Sequence, residues 1–104
     1  MIDLEKMEGA MAYLAQTDLP YAEAKTDLLR SEILAKRSRA RIFMTGDGPV
    51  EARKAAAEAH SEAQTVYEAL IRATLTFETL KARRQRSELV IEGARTLEAS
   101  RRGK

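Results

Sequence analysis

AQTVYEALIRATLTFETLKARRQRSELVIEGA, residues 63–94, decides the fold class. Within it Ala63, Val66, Leu70, Ala73, Phe77 and Leu80 follow one another at alternating intervals of three and four. That rhythm lays one apolar seam along a helix. In the same register Arg84 and Ser87 are polar, and Ile91 and Ala94 are apolar again. No proline follows Pro49, and Gly48, Pro49 and Glu51 read as N-cap, N1 and N3 of the helix. The predicted helix runs over about 49–101, about 50 residues or some 75 Å at 1.5 Å per residue. Gly93 is its weak point, costing about 1 kcal/mol against alanine.

Upstream, Thr45-Gly46-Asp47-Gly48-Pro49 is a strong stop signal, with Gly46 expected in the left-handed conformation that closes a helix. The helix it ends is predicted over about 19–44, with Pro20 in its first turn and Tyr21, Leu28, Ala35 and Ile42 repeating every seven residues. Glu32 and Lys36 form a favourable pair four apart. Before it, Leu4, Met7, Met11 and Leu14 mark a short helix over about 3–16, capped by Asp3. That helix is predicted to stop near Thr17-Asp18, because Pro20 disfavours continuation. The expected fold is therefore all-α: a short, a medium and a long helix, the last two forming an αα-hairpin. The medium helix reaches back only to about residue 75 of the long one. The first helix or a second copy has to cover the apolar positions beyond, so a helical-bundle homo-oligomer is expected.

Composition agrees. Charged residues make up 33% of the 104, and Ala, Glu, Leu, Arg and Lys dominate, as in long helices and coiled coils. The absence of cysteine excludes disulfides, thiolate metal sites and cysteine nucleophiles. Neither an export signal nor a membrane span is legible, so a cytoplasmic protein without a membrane partner is expected.

The net charge is only +2, yet it is unevenly placed. Residues 81–104 hold eight basic side chains against three acids, whereas residues 51–70 hold four acids against two bases. Acids early and bases late in a helix complement its dipole, which alone accounts for much of this pattern. The same bases can also meet phosphates. Lys81, Arg83, Arg84, Arg86, Arg101 and Arg102 are the candidate nucleic-acid-binding residues; a second basic run is Lys36, Arg37, Arg39 and Arg41. Residues 78–104 contain no aromatic on which a base could stack, so only a backbone contact is expected there. Lys81, Arg84 and Glu88 share one helical face and Arg83, Arg86 and Val90 another, so the charge spreads around the helix. Val66, Leu70, Phe77, Leu80 and Ile91 are the candidate core or oligomer stripe. In an antiparallel dimer, acidic and basic halves of the long helix would lie side by side.

Catalysis is not expected. The single histidine, His60, lies in an Ala/Glu-rich stretch, where it reads as a surface or packing residue. Glu58 and Glu62 share a face, but no Glu-x-x-His motif accompanies them. The Gly46–Gly48 turn is too short for a calcium loop and lacks the lysine of a phosphate loop. Neither cofactor, metal nor small-molecule substrate is implied.

Two stretches, YLAQTDLPYAEAKTDLLR (13–30) and TLTFETLKARRQRSELVIEGARTLEASRR (74–102), resemble a family of short, uncharacterised helical proteins encoded by bacteriophages and prophages. The resemblance covers about half the chain in the right order. Gly93-Ala94 departs from it, since the family carries a bulkier pair with an aromatic there. The family's genes lie near those for homologous recombination and single-strand annealing. The resemblance thus implies a non-enzymatic accessory protein that contacts DNA or a recombination protein. The alternative from the residues alone is a protein–protein adaptor or assembly factor.

Overall fold

The computed structural model describes residues 4–103. Among the described residues there are three helices: α1 (Leu4–Thr45), α2 (Val50–Ala59) and α3 (Ser61–Arg102). The proposed Asp3 cap lies outside the described residues.

The all-α class holds, but the first helix is long, not short. Its 42 residues run straight through the predicted break, with Pro20 inside. An interior proline removes one backbone hydrogen bond and crowds the preceding carbonyls, at about 3 kcal/mol. The apolar register explains why the helix nevertheless continues. Met7, Leu14, Tyr21, Leu28, Ala35 and Ile42 occupy one heptad position; Ala10, Thr17, Ala24, Ser31 and Ser38 occupy the other. Every one of these is buried or half-buried. The seam keeps its phase across Pro20, so packing on both sides favours one helix over two.

The long helix predicted over 49–101 is divided instead. His60 takes an extended conformation (φ −65°, ψ 140°) between α2 and α3. Ala57 and Ala63 explain the break. Six residues apart, they would point about 120° away from one another on a continuous helix of 3.6 residues per turn. With the break, both are buried in one cluster with Ile42, against which Phe43 and Tyr67 pack. Gly93, in contrast, leaves α3 unbroken.

The turn also differs in detail. The left-handed residue is Gly48 (φ 93°), not Gly46, and Pro49 is the N-cap rather than N1. Pro49 carries no side-chain acceptor, so α2 begins with its own backbone bond, Arg53 N–H to the Pro49 carbonyl at 3.0 Å. Thr45 closes α1 by donating its hydroxyl to the Arg41 carbonyl at 2.9 Å.

The chain forms two compact units, residues 1–23 with 78–104, and residues 24–77. In the first, the start of α1 packs antiparallel on the end of α3: Leu4, Met7 and Met11 face Ile91, Ala94 and Glu98 across a cleft of about 630 Å³. The apolar positions beyond the reach of the predicted medium helix are thus covered by the same chain. In the second unit the end of α1 packs on α2 and the start of α3. Arg39 meets Tyr67 there, and Arg41 pairs with Glu62.

Among the described residues, the buried apolar side chains are small, Ala10, Ala24, Ala35, Ala57 and Ala63, with Ile42 the one large member. Alanine and serine along α1 let the backbones approach closely. The larger partners on α3 stay only half-buried.

Candidate functional site

The candidate basic residues divide by their place on α3. Arg84 occupies a core position of the heptad, and its side chain is only 14% exposed. One guanidinium nitrogen donates to the Leu14 carbonyl at 2.9 Å and to the Thr17 hydroxyl at 2.7 Å. The other pairs with the Asp18 carboxylate at 2.8 Å. The Tyr21 ring lies beneath the charge, 4.9 Å from its centroid. Thr17 Oγ1 in turn donates to the Tyr13 carbonyl at 2.6 Å. Arg84 is therefore committed within the fold, and its assignment to a nucleic-acid surface is corrected. A buried arginine is tolerated only with its donors satisfied, and here both ends of the fork are.

Arg83, Arg86, Arg101 and Arg102 are exposed, and Lys81 is half-buried. Arg102 pairs with Glu98 at 3.3 Å. Arg95, which sequence reasoning did not single out, is exposed and borders the cleft between α1 and α3. The stripe Val66, Leu70, Phe77, Leu80 and Ile91 is half-buried along the face of α3 that carries Ala63 and Arg84. That is the face packed on α1, so the stripe serves the chain's own core.

A second site emerges that the sequence did not reveal. Within residues 24–77, the end of α1, α2 and the start of α3 enclose an open cleft of about 660 Å³. Its apolar floor is Ala35, Ala57 and Leu70; Lys36, Arg39 and Lys54 supply cations, and Glu32 and Glu58 carboxylates. Phe43 and Tyr67 supply its rings. Glu32 and Lys36 do not pair at this site, despite their spacing; ion pairs that do form include Asp27–Arg30, Arg41–Glu62, Asp18–Arg84 and Glu98–Arg102.

The two aromatic residues are held differently. Arg53 lies over the Phe43 ring, 4.6 Å from its centroid. Arg39 instead donates Nε and Nη2 to the Tyr67 hydroxyl at 3.0 and 2.5 Å. Its guanidinium is 5.8 Å from the ring centroid, so it sits off the hydroxyl end rather than over the face. The signal for this cleft lay in residues 36–43, but only the break at His60 brings α2 and Tyr67 beside them.

His60 is a structural residue. Its Nδ1 accepts from the Glu62 backbone N–H at 3.1 Å, and its carbonyl accepts from Gln64 N–H. The imidazole thereby caps the N-terminus of α3. Among the described residues, no cluster of three or more metal-ligating side chains occurs, and no helix is long and apolar enough to cross a membrane.

No protein-family model matches the chain, and no curated protein or solved structure is significantly similar to it.

Proposed function

We propose that this is a non-enzymatic accessory protein that acts by binding, with DNA or a DNA-recombination protein as its partner. The observation that supports this most is the charge left on the surface of α3 once Arg84 has turned inward. Arg83, Arg86, Arg95, Arg101 and Arg102 remain exposed on the last part of that helix, and of these Arg102 is ion-paired. Exposed guanidinium groups on a rigid helix neutralise phosphates without reading sequence. The phage or prophage recombination setting, in the bacterial cytoplasm, rests on the resemblance of residues 13–30 and 74–102.

Self-association belongs to the same proposal. Large apolar side chains stand exposed in both units, Leu19 and Leu89 in one and Leu29, Ile71 and Leu75 in the other, each more than half accessible. A chain whose fully buried positions are mostly alanines gains much by covering them. The same observation favours the second reading, an adaptor whose partners are proteins alone.

Fluorescence anisotropy of labelled single- and double-stranded oligonucleotides, at low and physiological salt, tests the DNA branch. Binding is expected to weaken steeply with salt. Replacing both Arg83 and Arg86 by alanine is expected to lower the slope of log K against log salt by about 1–2, two phosphate contacts' worth. No binding at low salt defeats the DNA branch and leaves the adaptor.

A further inference from the structure

The geometry points to the cleft of residues 24–77 as a binding site for one nucleotide unit of a single-stranded nucleic acid: we infer that its base packs on Tyr67 and its phosphate meets Lys36, Arg39 and Lys54. This rests on the proposed contact with nucleic acid but places a second, chemically distinct contact away from the arginines of the α3 C-terminus. Sequence-independent single-strand binders need two things together, a cationic wall for the backbone and an aromatic face for the base. Residues 78–104 supply only the first.

The cleft supplies both. Its volume of about 660 Å³ falls within the usual range for small-ligand sites. Three cations come from two helices, Lys36 and Arg39 on α1 and Lys54 on α2, and all three are exposed. Tyr67 comes from α3, held at its hydroxyl by Arg39 in a way that leaves the ring's face uncovered by that side chain. A ring anchored by its edge is a stacking surface that need not be ordered when the base arrives. Arg39 is positioned by the same bond, with guanidinium donors left over for a phosphate oxygen.

Glu32 and Glu58 give the site a preference. Carboxylates repel phosphate but accept from the exocyclic amine of cytosine. With three cations against two carboxylates, charge attraction is modest, so the base contact decides which strand binds. Cytosine is favoured over thymine, which offers no amine.

The test is anisotropy with labelled oligo-dC and oligo-dT of about 12 nucleotides, within the span of single-strand sites. The full-length chain is compared with Tyr67→Leu, Tyr67→Phe, the double variant Lys36→Glu/Lys54→Glu and Arg83→Ala/Arg86→Ala. Circular dichroism confirms helicity in each. Oligo-dC is expected to bind several-fold more tightly than oligo-dT. Tyr67→Leu is expected to weaken it roughly tenfold, as loss of one stacked base does. Tyr67→Phe is expected to fall between the two, because the ring stays while the hydroxyl that positions Arg39 is lost. The charge reversal is expected to weaken both oligonucleotides. In parallel, photo-crosslinking of a 5-iododeoxycytidine oligonucleotide is expected to label the peptide containing Tyr67. If Tyr67→Leu and the lysine variants bind as the parent does while Arg83→Ala/Arg86→Ala fails, the cleft site is overturned and the α3 contact stands. If neither oligonucleotide binds the parent at low salt, both are overturned.

Discussion

Arg84 shows how one side chain can serve the fold instead of the surface. It occupies a heptad position where leucine would be ordinary, yet it ties Leu14, Thr17 and Asp18 on α1 to α3. Polar residues at such positions are the best-attested means of fixing register between helices. Arg84→Ala is expected to lose about 1–3 kcal/mol in chemical denaturation, the range for hydrogen bonds to a charged group. Asp18 is 70% exposed, so its ion pair contributes little of that. An unchanged midpoint would show that the fork contributes nothing net. His60 acts on the same scale. Because its Nδ1 caps α3, His60→Ala is expected to destabilise the chain by about 0.5–2 kcal/mol in thermal melts, whereas His60→Asn keeps most of the stability. Equal loss in both variants would contradict a capping role.

Among the elements, α1 is the instructive case. Pro20 is a helix breaker by every local criterion, and the sequence reading ended a helix before it for that reason. The helix continues because Leu14, Thr17, Tyr21 and Ala24 stay on one face across it, with Arg84 bonded one turn upstream. Pro20→Ala restores the missing backbone hydrogen bond and is expected to raise stability by about 1–3 kcal/mol. The increase is read as a later denaturation midpoint, and a lower midpoint would mean that the proline shapes the packing. On α3, the rhythm from Ala63 to Ala94 was legible residue by residue, and each of those positions is buried or half-buried. The pause at His60 was not legible. AAAEAHSEA holds no proline or glycine to stop a helix, and the His60 cap forms only once the two sides turn separately for Ala57 and Ala63 to reach Ile42.

Over the whole molecule, both units pair a stretch of α1 whose buried positions are mostly small (Ala10 in one; Ala24, Ala35 and Ser38 in the other) with half-buried partners and leave large apolar residues outside. The proposed self-association is therefore expected to show as a sedimentation mass of at least two chains at micromolar concentration. It should also give a melting temperature that rises with protein concentration. Leu29→Glu with Ile33→Glu, on the outer side of α1, is expected to shift the mass toward one chain while helicity is kept. A single-chain mass for the parent would refute the oligomer.

The all-helical class, the α3 seam and the Tyr21, Leu28, Ala35, Ile42 line of α1 follow from the sequence by itself, because a heptad rhythm is a local property that any short window displays. So does the glycine–proline turn that ends α1. The α1 stripe expected through Leu4 and Met11 does not follow, since both stand exposed. Tertiary structure decided the rest. Whether Pro20 breaks a helix depends on what lies across from Leu14 and Tyr21. Whether Arg84 faces solvent depends on acceptors about 66–70 residues away. Whether Lys36, Arg39, Lys54 and Tyr67 share a cleft depends on a break that only packing against Ile42 requires. Each of these balances a local cost of about 1–3 kcal/mol against contacts between distant segments, and local preference alone does not carry that information.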